Sequence, residues 1–229
     1  MKYLYMIITV FIFSACSGLP EDFSECGEKN IMVLGDSITI DWTPLLREKM
    51  ALEGYHVVHN NKAIDPENPN APVEPEKAKY VTDAITHLDR WLSQCDSYEA
   101  ILWSETLWDT SHSKSETPEG PSTDIETYEI YLNKMAEIIS LKTDKLIWIT
   151  PTPVEEGDKG SEYVYLYLDD YLNAGLDMAK THDTYIIDLY TFGLENIHLK
   201  NKGDLHWRGE GSSEALAGFI EQELKGILE

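Results

Sequence analysis

Positive charge is scarce in this chain: 18 Lys and Arg stand against 41 Asp and Glu in 229 residues, a formal net charge of -23. Such a surface repels phosphate backbones and gains nothing from anionic headgroups, so nucleic-acid binding and electrostatic membrane attachment are not expected. A neutral or cationic substrate suits that field better than a polyanion. Metal-ligand spacing is missing as well. His56, His59, His87, His112, His182 and His198 fall in no His-x-x-x-His or related pattern. There is no Gly-rich phosphate cradle, no dinucleotide fingerprint and no internal repeat, so neither a metal nor another cofactor is expected. The apolar run from Leu4 to Phe13 is too short to span a bilayer. Cysteine is limited to three residues, Cys16, Cys26 and Cys95.

What is present begins with that short run. A charged start, Met1-Lys2-Tyr3, precedes it, and Ser14-Ala15-Cys16 supplies small residues before a cysteine. The pattern resembles a bacterial lipoprotein signal cleaved before Cys16, which would then carry the lipid; Phe13 stands where Leu is usual. An ordinary secretory leader with an incidental cysteine is the other reading, and both imply export. The expected organisation is a signal peptide over 1–15, a polar tether over 16–28 and one domain over 29–229. Membrane contact is expected through the lipid alone, in the cell envelope, and the protein is expected to be a monomer.

Within the domain, apolar runs alternate with helical spacing. Strands are expected from Asn30, over 55–59, 98–103, 145–149 and 184–189, and helices after Ser37 and over 79–93, 125–140, 163–180 and 212–228. Two long polar loops, 60–77 and 104–124, interrupt them. The βα alternation implies an α/β fold, a three-layer α/β/α sandwich on a five-stranded parallel sheet. Parallel strands gather their C-terminal ends on one edge, where ligands bind.

Two stretches meet at that edge. The first strand stops at Gly35-Asp36-Ser37, placing Ser37 at a helix N-terminus, where unpaired N–H groups and the helix dipole favour a developing oxyanion. Alone, the triplet reads equally well as a helix cap. The second stretch, Gly203-Asp204-Leu205-His206-Trp207, follows the last strand and precedes the last helix. A serine after the first strand and an Asp and His after the last provide what a Ser-His-Asp hydrolase requires.

The chain here resembles the SGNH, or GDSL-type, hydrolase superfamily. The first block is Val33-Leu34-Gly35-Asp36-Ser37-Ile38-Thr39, with Ser37 in the nucleophile's place. The last is Asp204-Leu205-His206 followed by Gly209-Glu210-Gly211, with His206 in the place of the base. Weaker similarity runs through Leu88-Asp89-Arg90-Trp91-Leu92, Ile147-Trp148-Ile149-Thr150-Pro151-Thr152-Pro153-Val154 and Ile187-Asp188-Leu189-Tyr190. The resemblance implies a flavodoxin-like strand order and a serine esterase that cleaves short acyl esters, plausibly acetyl groups on carbohydrate, without a cofactor.

The middle of the chain departs from the pattern. The third block reads Thr106-Leu107-Trp108-Asp109, with Thr106 for a glycine and Trp108 for the oxyanion-hole asparagine. The second block is loosest, with Asn68 or Asn70 as candidate donors and no glycine. Ser37 N–H is the surest oxyanion donor. The family's acid stands three residues before the histidine, where this chain has Gly203. Asp204 is one residue nearer, so either Asp204 bends round to the ring or a backbone carbonyl orients a Ser-His dyad. In an oxidising compartment the flavodoxin-like order sets Cys26 and Cys95 side by side at the edge opposite the site, as a structural disulfide or as buried thiols. Most tryptophans read as core, with Trp207 kept as a possible sugar platform. The competing function is a catalytically weak or inactive SGNH-fold lipoprotein that binds glycan or a protein partner.

Overall fold

The computed structural model describes residues 26–60, 79–111, 120–158, 164–208 and 211–229. Five parallel strands, β1 (Asn30–Gly35), β2 (His56–His59), β3 (Ala100–Ser104), β4 (Leu146–Ile149) and β5 (Tyr185–Ile187), lie in the order β2-β1-β3-β4-β5. β1 pairs with both β2 and β3, and its last residue, Gly35, stands opposite Ser104. The ends of β1 and β3 are therefore side by side on the C-terminal edge.

Successive strand residues point to opposite faces, and each face is covered by its own helices. Met32, Leu34, Ile101, Trp103 and Trp148 pack under α2 (Val81–Leu92), α4 (Ile125–Ser140) and α5 (Val164–Thr181). Ile31, Val33, Leu102, Ile147 and Ile187 pack under α1 (Ser37–Ala51) and α7 (Ser212–Leu228). This is a flavodoxin-like three-layer sandwich. Strands buried on both faces read as unbroken apolar runs, which is why Ile-Met-Val-Leu and Leu-Ile-Trp-Ile carry no polar alternation.

The expected elements are present, with shorter strands. β5 ends at Ile187 because Asp188 caps a helix instead of extending the strand: its carboxylate accepts from Thr191 N and Thr191 Oγ1. That helix, α6 (Leu189–Glu195), and a 3-10 turn at Ile197–Leu199 occupy the stretch expected to lead straight into the His206 loop. A four-residue helix, α3 (Leu107–Thr110), likewise lies within the loop expected after β3. Cys26, before β1, and Cys95, before β3, form a disulfide with Cα atoms 5.7 Å apart. It joins the neighbouring strands at the edge away from Ser37 and closes 69 residues of chain. Cys16 and the whole leader lie outside the described residues. Among the described residues no helix is long and apolar enough to cross a membrane.

Candidate active site

The serine is presented by a turn that admits no side chain before it. A Cβ on Gly35 would lie 2.3 Å from Thr39 Cγ2 and 3.0 Å from the Ser104 carbonyl oxygen. The Gly35 N–H donates to Asn60 Oδ1 at 3.1 Å, tying the end of β1 to the end of β2. Asp36 then caps α1, its carboxylate accepting from Ile38 N at 2.8 Å, while its carbonyl accepts from Ile40 N and from Thr39 Oγ1. Ser37 is thus the first residue of the helix. Its own N–H has no acceptor among the described residues and lies at the positive end of the helix dipole. Asp36 caps and Ser37 is displayed, so both readings of the triplet hold at once.

Ser37 Oγ is 3.0 Å from His206 Nε2, and His206 Nδ1 is 3.0 Å from Asp204 Oδ1. Asp204 does bend round, and the same oxygen accepts the His206 backbone N–H at 2.9 Å. The turn is possible because Gly203 holds φ at +78°, a conformation that favours glycine. A carboxylate cannot donate, so Nδ1 carries the ring proton and Nε2 is left bare to accept from the Ser37 hydroxyl. Burial pushes the Asp204 carboxyl up, but the hydrogen bonds from the backbone and ring of His206, with the charges of His206 and Arg208, outweigh it. Asp204 is left below its ordinary range.

Trp207 is not a platform. It is fully buried in the core under α7, and Ser213 Oγ donates to its carbonyl at 2.7 Å. His206 meets Ser37 while Trp207 lies in the core, so the two neighbours stand on opposite sides of the loop. Trp108 is half-buried on α3, edge-on to Tyr80 with ring centroids 5.9 Å apart, and the Lys79 ammonium lies 5.3 Å above its ring. Thr106 Oγ1 is within 3.1 Å of Tyr128 OH, which itself donates to the Glu105 carbonyl. Asn68 and Asn70 lie outside the described residues.

Asp36 and Ile38, the two neighbours of Ser37, line a small open hollow together with Ser104, Thr106, Leu107, Pro151 and Thr152. The Pro151 and Thr152 wall comes from the end of β4, as its place in the chain suggests. Thr152 Oγ1 is buried with no hydrogen-bond partner among the described residues. Among the described residues no three His, Cys, Asp or Glu side chains converge as a metal-ligand set.

Three supports of the site carry no sequence motif. His59 Nε2 lies 2.8 Å from Thr39 Oγ1, and burial, with the nearby Arg47 charge, lowers this histidine to about 3, so it remains neutral. Because Thr39 gives its proton to Asp36 O, His59 supplies the Nε2–H. Glu105 is 2 % exposed, and neither carboxylate oxygen has a partner among the described residues; burial, then the charges of Asp109, Asp36 and Asp83, raise it well above the carboxylate range. Asp41 holds Arg208, two residues after His206, at 2.9 and 3.0 Å. None of the three lies in the sequence blocks described above.

No family model matches the chain, and no curated protein matches it. Solved structures do. A lipase/acylhydrolase from Enterococcus faecalis superposes with a TM-score of 0.67 at 18% identity, over 88% of this chain and 97% of that one. An acetylxylan esterase from Geobacillus stearothermophilus, solved as a catalytic mutant, gives 0.65 at 12%, over 88% and 96%. Another acetyl xylan esterase gives 0.60 at 15%, over 87% and 100%. At these identities the likeness is one of fold: the chain has the α/β/α sandwich of these proteins across nearly its whole described length.

Proposed function

We propose that the chain is a serine ester hydrolase of SGNH type acting on small acyl esters, and the observation that carries this is the unbroken line Ser37 Oγ, His206 Nε2, His206 Nδ1, Asp204 Oδ1, each contact 3.0 Å. Ser37 Oγ attacks the ester carbonyl while His206 Nε2 takes its proton, and the negative charge of Asp204 steadies the imidazolium. The carbonyl oxygen, now an oxyanion, faces Ser37 N–H at the helix start. His206 returns the proton to the leaving alcohol, leaving an acyl enzyme. Water then attacks the acyl carbon, gives its proton to the same nitrogen, and releases the acid and Ser37.

The small size of the hollow lined by Ile38, Leu107 and Thr152 supports a short acyl group over a long one. Two of the similar structures are acetyl xylan esterases, which supports an acetylated carbohydrate as the substrate. Export and a lipid at Cys16 form part of the same reading. The test is hydrolysis of a chromogenic acetate ester by the purified protein beside Ser37→Ala and His206→Ala. Both variants are expected at background. If the wild type is no faster than folded Ser37→Ala, the esterase reading fails, and the alternative becomes a surface lipoprotein that keeps the fold for binding.

A further inference from the structure

Asp41 lies one helical turn after Ser37, so α1 turns both side chains toward the loop that carries the base. Ser37 meets His206 there, and Asp41 takes Arg208 Nε on both of its oxygens at 2.9 and 3.0 Å. Between the two, Trp207 is buried on the other side. Three successive loop residues are therefore held by three separate contacts, in a stretch with no regular structure.

The pair is also electrically part of the site. The Asp41 side chain is 4 % exposed and Arg208 33 %. Burial raises the Asp41 carboxyl; the charge and hydrogen bond of Arg208 oppose this, as does the charge of His206, while Asp204 adds to it. Arg208 acts on Asp204 too. Among the described residues, the charged groups that act on this corner of the site are Asp204 from the loop of His206, Asp41 from α1 and, paired with Asp41, Arg208.

Resting on the hydrolase reading above, we propose that Asp41 and Arg208 are positioning residues for the general base. Their ion pair fixes the loop so that His206 Nε2 meets Ser37 Oγ. Their opposite charges cancel beside the imidazole, so that Asp204 alone sets the field the ring experiences.

The experiment compares full-length wild type, Asp41→Asn, Arg208→Gln, Arg208→Lys and the double variant Asp41→Asn/Arg208→Gln. His206 is titrated by NMR, its ring signal assigned by its loss in His206→Ala, and acetate ester turnover is followed against pH. Asp41→Asn leaves Arg208 uncompensated, so the midpoint and the acid limb should fall by roughly half a pH unit. Arg208→Gln leaves the Asp41 carboxylate uncompensated, and both should rise by about as much. The double variant should return to the wild-type midpoint but lose roughly 10- to 100-fold in kcat with KM little changed, because the charges cancel while the lock is gone. Arg208→Lys should keep the midpoint and lose kcat, since an ammonium on a flexible stem keeps the charge without the planar Nε–H that meets both Asp41 oxygens. Midpoints that stay fixed or move in the same direction overturn the proposal, whatever happens to the melting temperature. If Ser37→Ala hydrolyses as fast as the wild type, it is the hydrolase reading that fails, and the proposed catalytic role fails with it; the titrations then still report whether the pair is coupled to His206.

Discussion

Replacing Gly35 with Ala perturbs the nucleophile turn by one methyl group, and the structure indicates what that methyl meets. The new Cβ would stand 2.3 Å from Thr39 Cγ2, 2.8 Å from Thr39 Oγ1 and 3.0 Å from the Ser104 carbonyl oxygen. The Ser104 oxygen belongs to a paired strand, so the threonine must give way. A β-branched residue in a helix has few rotamers, and leaving its present one breaks the bonds to Asp36 O and His59 Nε2, each 2.8 Å. Two buried hydrogen bonds at about 1 kcal/mol each, plus roughly 1–3 kcal/mol for overpacking, give a loss of about 3–5 kcal/mol. Urea unfolding should show that loss as a lower midpoint with unchanged slope. Turnover should fall roughly 100-fold through displacement of Ser37, which directly follows the capping residue. Adding Thr39→Ser removes the methyl at 2.3 Å but keeps the hydroxyl, and should restore about half of the lost stability. A Gly35→Ala protein within about 1 kcal/mol of the wild type and fully active would refute the close-approach argument.

Asp204→Asn keeps an acceptor for the His206 backbone but removes the charge that steadies the imidazolium, so kcat should fall roughly 100-fold or more; a loss under about fivefold would mean that Ser37 and His206 act as a dyad. Glu105→Gln removes a carboxyl whose folded pKa is raised. In the wild type this group's contribution to stability is fully present below its unfolded value near 4.5 and is lost as pH rises through the folded one. Thermal melts should therefore show Glu105→Gln gaining on the wild type from pH 5 to pH 9, and a gap that does not widen with pH would reject the unpartnered-carboxyl reading. Lys200 is a buried cation paired with buried Asp158 and, at 3.5 Å, with Glu155. Lys200→Met strands that carboxylate and should cost about 3–5 kcal/mol in urea unfolding, while Lys200→Met/Asp158→Leu should cost less. An equal or larger loss in the double variant would show that the charges are not the source.

The fold was legible because its signals are local. Apolar runs without alternation mark doubly covered strands, and the spacing of Leu132, Met135, Ala136 and Ile139 marks a helix face that is indeed buried. The Ser37 turn was legible for the same reason, being an apolar strand, a glycine and a cap in six consecutive residues. Short elements with side-chain caps were not. α6 follows from Asp188 bonding Thr191, a choice between strand and helix that Ile186-Ile187-Asp188-Leu189 leaves open. Trp207 was misread because neighbouring a histidine says nothing of direction: His206 meets Ser37, while Trp207 lies in the core. His59, Glu105 and the Asp41–Arg208 pair depend on contacts between distant parts of the chain, where spacing carries little information.

The two halves of the candidate site are held by different means, and this bears on how they respond to damage. Ser37 is continuous with a fully buried strand, with glycine, cap and neighbouring carboxamide all acting on backbone atoms. His206 sits in irregular chain and depends on side chains: Trp207 in the core, Asp204 curled beneath it and Arg208 on Asp41. Backbone hydrogen bonds within the sheet break only when the domain unfolds, whereas loop anchors can release singly. Turnover should therefore be lost through displacement of the base before the nucleophile turn melts, and single substitutions at Asp204 or Arg208 should affect kcat more than stability, whereas Trp207, in the core, cannot be cut back without a loss of both. Gly35 and its neighbours, by contrast, cannot be changed without affecting both, because the turn that displays the serine is also the joint between β1 and α1.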